Sequence, residues 1–453
     1  MNNLIQKYNI PGPRYTSYPT VPFWDDEGFS KQAWIDTFQR SFDESNESEG
    51  ISIYIHLPFC ESLCTFCACN KRITKQHSVE IPYIDTVLKE WKLYVDLFSS
   101  RPKIKEIHLG GGTPTFFSPA NLKKLINGIF DYADLAEGHE FSLEGHPNNT
   151  SKEHLQALYD LGFRRISYGV QDYDLKVQKS IHRIQPFENV KRATEEARAI
   201  GFTSVSHDLV FGLPHQTIEG MLDTINKTRE LNPDRISFYS YAHVPWIKGV
   251  GQRGFLEEDL PSPELKRSLY EEGKKMFEEM GYFEVGMDHF ALEEDSMYQS
   301  MKNNTLHRNF MGYSSSKTQL MIGLGVSSIS DSWYSFAQNE KTVEEYEASV
   351  HKGELSAFKG HILSEEDLIM RRHILNLMCN LKTSWADESM KIHDVERIKI
   401  MLKGMVDDGL IEFIENGLIV KEEGRPFVRN VCMAFDKRMI DNEPETRIFS
   451  MTI

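Results

Sequence analysis

The 453-residue sequence lacks several features that would assign a protein class at once. It has no 18-residue apolar run that could span a membrane, and its start, MNNLIQKYNIPGPRY, lacks the basic and then apolar pattern of a signal peptide. Low-complexity tracts and short repeats are also missing. We therefore expect a cytoplasmic protein with no membrane partner, in which cysteines are usually free, catalytic or metal-bound.

Positive charge is scarce in this sequence. The 51 Lys and Arg residues stand against 67 Asp and Glu residues, which gives a formal net charge of −16. Nucleic-acid binding needs a basic surface that neutralises phosphates, so no nucleic-acid partner is expected. An acidic small-molecule substrate would need a local basic pocket that overcomes the overall negative field. No protein-partner surface stands out, and we expect a monomer.

Strand-like and helix-like segments alternate from residue 51 onward. Residues 83–98 have the spacing of an amphipathic helix. The strand candidates begin at residues 51, 104, 140, 164, 202 and 235 and read ISIYIHL, IKEIHL, EFSLE, RRISYGVQ, FTSVSHDLVF and RISFYSY. This alternation predicts parallel βα units, in an open sheet or a barrel.

The strand candidates have one apolar face and one small or polar face. Ser142 and Glu144 share the polar face of EFSLE, and Ser206 and Asp208 share that of FTSVSHDLVF. A strand between two apolar layers would be almost continuously aliphatic. The pattern favours an α/β fold with a partial TIM-type (β/α) barrel and a polar lumen. An open sheet with incidental polar residues is the alternative.

Three regions are predicted along the chain. Residues 1–50 form an N-terminal arm and a lead-in helix, residues 51–364 form the barrel-type catalytic domain, and residues 365–453 form a small α-rich C-terminal domain similar to a winged helix. In the last region two helices, a hairpin and a final helix are predicted from LIMRRHILNLMCN, VERIKIMLKGMVDDG, LIEFIENGLIV and RPFVRNVCMAFD.

Four of the six cysteines lie between residues 60 and 69. Cys60, Cys64 and Cys67 have the spacing C-x3-C-x2-C and follow the first strand, at the rim where βα barrels carry their sites. Three thiolates on one loop can hold three irons of a 4Fe–4S cluster and leave the fourth iron open. Zinc, with Cys69 or His56 as fourth ligand, is the alternative, although zinc sites more often use two separated cysteine pairs. We do not expect Cys69 to be a ligand.

A glycine-rich turn, GGGTPTFF at 110–117, follows the second strand. It matches neither G-x-G-x-x-G nor the P-loop pattern, so it is not a dinucleotide or P-loop fingerprint. Glycine lets the backbone approach a ligand closely. Together with the cysteine loop one unit earlier, the turn predicts a site at this rim.

CESLCTFC and GGGTP together resemble the radical S-adenosylmethionine superfamily. Within it, the chain is similar almost end to end to the oxygen-independent coproporphyrinogen III oxidase family. The motifs that carry the resemblance are GPRYTSYPT, YIHLPFCESLCTFCACNK, GGGTPT, YGVQD, DLVFGLP, LNPDRISFYSYAHVP, GMDHFA, LHRNF, GLGVSSIS and VRNVCMAFD.

The resemblance implies a 4Fe–4S cluster whose open iron binds S-adenosylmethionine, and reductive cleavage of that molecule to a 5′-deoxyadenosyl radical. It implies that two propionates of coproporphyrinogen III are oxidatively decarboxylated to vinyl groups, giving protoporphyrinogen IX. Two S-adenosylmethionines are then consumed per turnover, and the expected electron donor is a reduced flavodoxin or ferredoxin.

The resemblance also implies site residues. Those expected to contact the cluster-bound S-adenosylmethionine are Tyr54, Gly111, Glu144 and Ile329. Those expected to contact a second S-adenosylmethionine are Phe66, Gly112, Thr113, Gln171, Arg183, Asp208 and Ala242. Strand phase independently places Tyr54, Glu144, Gln171 and Asp208 on the lumenal face. Without the motifs, Tyr54 and Gln171 would be interpreted as core polar residues and Arg183 as a solvated helix residue.

Two departures from the family pattern are visible. Met311 stands where Gln is common, and Gly145 and His146 replace the middle of EVDP. For the substrate propionates, Arg14 and Arg308 are candidates, since Arg pairs well with carboxylates. These two could equally be arginines paired with the protein's own carboxylates.

Two other functions stay open beside the decarboxylating enzyme. One is a haem-binding chaperone related to this family, and the other is radical chemistry on another tetrapyrrole. Cys69 and the GPRYTSYPT arm favour the enzyme, because the chaperone-type relatives usually lack both features.

Overall fold

The computed structural model describes residues 2–25, 27–245, 252, 254–442, 446 and 448–452. The chain starts with helix α1 (Asn2–Tyr8), a 3₁₀ helix (Val21–Phe23) and helix α2 (Lys31–Ser45). None of the described helices has both the length and the apolar character needed to cross a membrane. The division at residues 50 and 364 stays a prediction.

Strands and helices then alternate as the sequence predicts. In chain order they are β1 (Ile51–Leu57), the short strands β2 (Phe59–Cys60) and β3 (Arg72–Ile73), α3 (Glu80–Val95), β4 (Lys103–Gly111), α4 (Pro119–Phe130), β5 (Asp134–Gly145), α5 (Lys152–Asp160), β6 (Phe163–Gln171), α6 (Leu175–Ser180), α7 (Phe187–Ile200), β7 (Ser204–Phe211), α8 (Ile218–Leu231), β8 (Arg235–Ser240) and α9 (Pro263–Glu279). The elements that follow are β9 (Phe283–Gly286), β10 (His289–Ala291), α10 (Ser296–Lys302), β11 (His307–Asn309), β12 (Gly312–Ser314), β13 (Leu320–Leu324), β14 (Ile329–Ser332), β15 (Ser335–Asn339), α11 (Val343–His351) and β16 (Ala357–Ile362).

Twelve of these strands form one sheet, in the order β16-β15-β14-β13-β1-β4-β5-β6-β7-β8-β10-β9. Neighbours from β13 to β8 are parallel, and antiparallel strands extend the sheet at both ends. The order ends at β16 and β9, which do not pair in the described part of the chain. Residues of β4 to β8 line a common polar cavity of about 130 Å³. The prediction of a partial (β/α) barrel around a polar lumen is confirmed.

The helices cover the outer face of this sheet with an apolar core. Ile53 and Ile55 of β1 are fully buried together with Trp91 of α3 and Leu125 of α4. Burying one such side chain contributes roughly 1.5–3 kcal/mol, so this layer is a main source of the barrel's stability. The polar side chains of the same strands are left to face the lumen.

Local sequence signals start and end the outer helices. The hydroxyls of Ser118, Ser151 and Thr217 accept hydrogen bonds from the first turns of α4, α5 and α8, which replaces partners that the helix itself cannot supply. Gly201 ends α7 with a φ of 117°, a left-handed conformation that glycine adopts without strain.

The C-terminal region contains α12 (Glu365–Asn380), β17 (Lys382–Ser384), α13 (Val395–Asp407), β18 (Ile411–Ile414), β19 (Gly417–Val420), α14 (Val428–Met433) and α15 (Lys437–Asp441). Its strands pair in the order β17-β19-β18. The single last helix expected over 425–436 is instead a 3₁₀ helix (Glu422–Phe427) followed by α14. Pro426 lacks the N–H that a continuous α-helix needs. The likeness to a winged helix stays a prediction.

The N-terminal arm packs on this C-terminal region. Tyr15 and Tyr18 are buried in a second hydrophobic core, with Leu377 of α12 and Val431 of α14 among its members. The two ends of the chain therefore share one core, which is distinct from the core under the barrel helices.

Candidate active site

The cysteine loop begins where β1 ends. Pro58 has no N–H with which to continue the strand ladder, and β2 and β3 pair with each other to close the loop. Cys60 is buried, Cys64 and Cys67 are half-buried and Cys69 is exposed. The three thiols that were predicted as iron ligands thus lie on one loop at the carboxyl end of β1.

Two neighbouring donors point at these thiols. The Thr113 hydroxyl donates to Cys60 Sγ at 3.4 Å, and Arg183 Nη1 donates to Cys64 Sγ at 3.7 Å. Burial raises the pKa of Cys60 to about 11. Thr113 and Arg183, both assigned to the second cofactor from the motifs, therefore lie beside the cysteine loop.

The other end of the loop favours a thiolate. A hydrogen bond between the thiols of Cys67 and Cys69 lowers the pKa of Cys67 to about 6 and raises that of Cys69. Lys71 Nζ donates to the carbonyl oxygens of both residues at 3.1 and 3.3 Å, and its charge also favours the Cys67 thiolate. The thiolate is the form of cysteine that binds metals.

The donor set of this loop fits an iron–sulfur cluster. It offers three thiols of the C-x3-C-x2-C motif, which lie near enough to influence one another's ionisation. His56 is engaged elsewhere, because its Nε2 contacts the carbonyl of Asn70 at 2.9 Å and its Nδ1 contacts the Tyr54 hydroxyl at 3.1 Å. Within the described ranges, no three His, Cys, Asp or Glu side chains are already arranged around a metal position. The fit therefore rests on the thiols themselves.

The glycine run at the end of β4 lies against β1 and the cysteine loop. A Cβ at Gly111 would lie 2.8 Å from the His56 ring, and one at Gly112 would lie 2.6 Å from the backbone of Pro58. Gly111 also has a φ of +110°, which side chains disfavour. Packing alone thus requires these glycines. The N–H of Gly111 donates to the Glu144 carboxylate at 3.3 Å, so two of the predicted site residues meet.

The two carboxylates expected on the lumenal face both line the polar cavity. Asp208 is enclosed and accepts a hydrogen bond from the Ser167 hydroxyl at 2.6 Å, and burial raises its pKa to about 6. Glu144 is more open, with 47% of its side chain exposed, and lies 3.5 Å from His108 Nε2. One carboxylate is therefore accessible to a ligand, and the other can be neutral or charged near physiological pH.

Tyr54 completes the group around Glu144. Its ring stacks on that of His108 with centroids 6.0 Å apart and an interplanar angle of 17°. A Cβ at Gly110 would lie 3.0 Å from the Tyr54 ring and 3.1 Å from Glu144 Oε1. The structure thus brings Tyr54, from the middle of β1, together with Gly111 and Glu144 at the carboxyl ends of the neighbouring strands β4 and β5.

The ends of the Gln171 and Arg183 side chains both lie against Gly169. Gln171 has a φ of +69°, a left-handed conformation that is uncommon outside glycine. Arg183 Nη2 donates to the carbonyl of Gly169 at 2.6 Å, while its buried Nε has no partner among the described residues. Arg183 Nε is therefore available to donate to a ligand, as are the buried Nε atoms of Arg267 and Arg397 elsewhere in the described part of the chain.

Phe66, Ala242 and Ile329 are placed less centrally. Gln252 Nε2 donates to the carbonyls of Phe66 and Ala242 at 3.1 and 3.0 Å, which ties these two residues to each other. Ile329 packs near Phe336 in a small aromatic cluster, and its backbone abuts Gly323, the strand neighbour of Tyr54.

Comparisons with known proteins agree with this geometry. The model of the Radical SAM superfamily matches residues 54–228. The oxygen-independent coproporphyrinogen III oxidase of Helicobacter pylori (strain J99 / ATCC 700824) is 38% identical over 99% of this chain and 98% of its own length. That of Escherichia coli (strain K12) is 37% identical over 96% of this chain and 94% of its own length. The chain belongs to the oxygen-independent coproporphyrinogen III oxidase family.

A solved structure supports the same assignment. Coproporphyrinogen III oxidase (HemN) from Escherichia coli, described as a radical SAM enzyme, matches with a TM-score of 0.89 and 34% identity, over 96% of this chain and 98% of that one. As a member of the oxygen-independent coproporphyrinogen III oxidase family, the chain is a radical SAM enzyme whose cofactors are a 4Fe–4S cluster and S-adenosylmethionine. The zinc alternative is therefore dropped.

The departures from the oxygen-independent coproporphyrinogen III oxidase pattern lie at the lumen, for Met311, and at the carboxyl end of β5, for Gly145 and His146. Met311 lines the polar cavity. A Cβ at Gly145 would lie 2.9 Å from the Tyr168 ring, so glycine allows that ring to pack. Burial, together with the charge of Arg183, lowers the pKa of His146 to about 3, so this imidazole is neutral.

Sequence reasoning missed several polar residues of the lumen. The missed residues that line the polar cavity are Glu106, His108, Arg165, Arg235, Tyr239 and His289. A signal was present for most of them, because alternate residues of a strand share a face. Glu106 and His108 alternate with apolar residues in IKEIHL, and Arg235 and Tyr239 do so in RISFYSY.

Proposed function

We propose that the protein converts coproporphyrinogen III into protoporphyrinogen IX without oxygen, by oxidative decarboxylation of two propionates to vinyl groups. The observation that carries the proposal is the similarity to the oxidase of Helicobacter pylori, which is 38% identical in sequence over 99% of this chain. Against a haem-retaining chaperone, this chain has both Cys69 and the GPRYTSYPT arm, which the chaperone-type relatives usually lack.

The reaction sets the tasks of the site. When bound, the cluster and S-adenosylmethionine supply a 5′-deoxyadenosyl radical from one electron of a reduced donor. For each propionate, a hydrogen atom of the β carbon would pass to that radical and give 5′-deoxyadenosine. The bond to the carboxylate carbon then breaks as carbon dioxide departs, and one electron passes to an acceptor. The protein must hold the propionate at the lumen's rim and keep water away from the radical.

The predicted residues divide between two S-adenosylmethionine molecules, which are both consumed in one turnover. The cluster-bound molecule is held through its polar groups by Tyr54, Gly111, Glu144 and Ile329. The residues that hold the second molecule are Phe66, Gly112, Thr113, Gln171, Arg183, Asp208 and Ala242. The Gly111–Glu144 hydrogen bond supports the first group, and the unpaired Nε of Arg183 supports the second.

In this proposal the enzyme acts as a cytoplasmic monomer with neither a membrane nor a nucleic-acid partner. Reduced flavodoxin or ferredoxin delivers the electron. The overall charge of −16 gives no attraction to anionic nucleic acid or to the substrate's carboxylates.

The test uses anaerobically reconstituted protein with coproporphyrinogen III, S-adenosylmethionine, a low-potential reductant and a cell extract as electron acceptor. Tetrapyrrole mass and 5′-deoxyadenosine are followed together. We expect stepwise loss of two carboxyl groups alongside deoxyadenosine, and Cys64→Ala should abolish both. Deoxyadenosine without decarboxylation would assign the radical machinery to another tetrapyrrole, and haem retention without either product would favour a chaperone.

A further inference from the structure

A second cavity of about 670 Å³ lies between the barrel, the N-terminal arm and the C-terminal region. This volume lies within the range of about 300–1,000 Å³ that is usual for small-molecule sites. Part of its wall is aromatic or thioether, formed by Phe211, Tyr241, Tyr270, Met287, Tyr313 and Met378, and six carboxylates also line it. Tyr313 also lines the polar lumen, so the two spaces share a wall.

Three guanidinium groups meet at this shared wall. Arg14 and Arg429 line the large cavity, and Arg308 lies 4.5 Å from the centre of the Tyr313 ring. Arg308 and Arg429 are almost fully buried, at 4% exposure each. Burial lowers the pKa of Arg429 to about 9, and the charges of Arg14 and Arg308 add to this effect, so the three groups lie close enough to repel one another.

Most of this positive charge has no ion-pair partner among the protein's own carboxylates. Within the described ranges, Asp288, which pairs with Arg14, is the one carboxylate that forms an ion pair with any of the three. Arg308 donates instead to the carbonyls of the arm residues Arg14 and Tyr15. Arg429 likewise donates to carbonyl oxygens of the arm and of residue 451.

One further carboxylate lies near the arginines without pairing with them. The charges of Asp436, Arg308 and Arg429 all influence the pKa of the buried Cys432 thiol, so Asp436 lies close to both arginines. Asp436 also accepts a hydrogen bond from the Tyr15 hydroxyl at 3.1 Å. Burial raises its pKa to about 6. Even with Asp436 fully ionised, the three arginines at the shared wall face two carboxylates, which leaves one positive charge in surplus there. The other acidic residues of the cavity wall either pair with other cations, as Glu271 does with Arg267 and Glu284 with Lys274, or are exposed to solvent, as are Glu257, Glu264 and Glu272.

A buried charge without a counterion is costly, so the surplus favours an anion from outside the chain. Arg14 gives that anion access, because 35% of its side-chain surface is open and it lines the cavity. Arginine also binds carboxylates in a two-pronged geometry that lysine does not offer.

We propose that Arg14, supported by Arg308 and Arg429, anchors a propionate carboxylate of the tetrapyrrole in the large cavity. The inference rests on the proposed function and adds the place where the substrate binds. Coproporphyrinogen III carries four propionates and keeps two of them, so a retained propionate can be held here. The aromatic wall contacts the macrocycle, and a reacting propionate extends past Tyr313 toward the lumen.

The test measures binding to the anaerobic holoenzyme of coproporphyrin III, the fluorescent oxidised form of the substrate, and of its tetramethyl ester. We expect the acid to bind at least tenfold more tightly than the ester. Arg14→Gln should remove most of this difference. Asp288→Asn removes a carboxylate that competes for Arg14, so it should tighten binding of the acid severalfold. Arg267→Gln is the control, because Arg267 lines the same cavity but pairs with Glu271 on its own helix.

Melting temperature and turnover are measured on the same variants. Equal losses of affinity and of melting temperature in Arg14→Gln and Asp288→Asn would show a structural ion pair and overturn the anchor. Unchanged affinity in Arg14→Gln would do the same. If the wild type decarboxylates coproporphyrinogen III while Arg14→Gln binds the acid normally, the anchor alone fails. If the wild type neither binds nor decarboxylates, the proposed function fails with it.

Discussion

At the residue scale, Asp208 is a buried carboxyl group of the lumen whose ionisation destabilises the folded protein. Burial raises its pKa to about 6, although the Ser167 hydroxyl partly opposes this shift. The folded state therefore holds the carboxyl proton more tightly than the unfolded chain, where aspartate titrates near 4. Stability is lost as the pH rises from about 4 to about 6, and a shift of two units corresponds to about 3 kcal/mol.

Asp208→Asn should therefore stabilise the cofactor-free protein at high pH. We expect a gain in the free energy of unfolding of up to about 3 kcal/mol at pH 8, which shrinks as the pH falls toward 4 because both side chains are then uncharged. Urea unfolding at pH 5 and pH 8 measures this difference. Asp223→Asn, at an exposed helix position paired with Lys227, is the control and should show no comparable gain. A gain that is the same at both pH values would contradict the assignment.

Gly169 tests the second cofactor position. A Cβ there would lie 2.6 Å from Gln171 Nε2 and 3.0 Å from Arg183 Nη2, which are the ends of long side chains that can move. We expect Gly169→Ala to keep the fold within about 1 kcal/mol, since no backbone atom is in conflict, but to displace both side chains. Binding of S-adenosylmethionine to the reconstituted protein should fall from two molecules to one, measured by anaerobic equilibrium dialysis.

Gly220→Ala is the matched control for this experiment, because the nearest atom to its added Cβ lies 3.4 Å away, in ordinary contact. It should bind as many S-adenosylmethionine molecules as the wild type. If Gly169→Ala also binds two molecules, Gln171 and Arg183 do not hold the second one.

At the element scale, helix α3 holds the loop after β13 in place through one buried carboxylate. Glu90 accepts hydrogen bonds from the N–H of Gly325 at 2.8 Å, from Asn339 Nδ2 at 2.6 Å and from the Tyr346 hydroxyl at 2.7 Å. This loop passes beside His56 and leads into β14, so α3 positions the rim of the barrel next to the cysteine loop.

Glu90→Ala should leave the Gly325 N–H and the Tyr346 hydroxyl without an acceptor, whereas Asn339 Nδ2 still donates to the Gly325 carbonyl and to Ser328 Oγ. At about 1–3 kcal/mol for each unpaired buried group, we expect a loss of about 2 kcal/mol or more in the free energy of unfolding. Glu90→Gln keeps one acceptor oxygen and should lose less. Urea unfolding at pH 7 compares the two variants, and equal losses would show that the packing of the side chain matters more than its hydrogen bonds.

The elements differ in how far the sequence could predict them. β1 was predicted at its observed bounds, because its alternation stops at a proline. Helix α3 spans Glu80–Val95 rather than 83–98, since the one aliphatic residue of its first turn, Ile81, is exposed and does not belong to the buried stripe that predicts the helix. The strands β9 to β16, which are antiparallel to their neighbours except where β13 pairs with β1, are three to six residues long and were not predicted, because they are too short for a periodic signal.

The candidate site was predictable where motifs lie at strand ends, as for Glu144 on β5 and Gly111 on β4. Of the three clustered arginines, Arg14 and Arg308 were predicted from the sequence as substrate-binding candidates and Arg429 was not. Arg429 reaches Gly12 across 417 positions of sequence, and no local pattern encodes such a contact.

At the scale of the whole molecule, the two ends of the chain stabilise each other. Tyr15 fills the C-terminal core at 2% exposure, and Tyr8 donates to the Asp408 carboxylate at 2.5 Å. Arg429 adds hydrogen bonds to the backbone of the arm. The arm and the C-terminal region should therefore open as one cooperative unit, which would also open the wall of the large cavity.

Tyr15→Ala tests this cooperation. Removing a fully buried aromatic side chain costs about 3–5 kcal/mol, because the space it leaves is only partly refilled. Hydrogen exchange should then rise in α12 and α14 as well as in the arm, since these helices lose the same core. Tyr132→Ala, at a site that is 40% exposed, should leave exchange in all three unchanged. Faster exchange confined to residues 2–25 would mean that the arm opens alone and that the C-terminal core is stable without it.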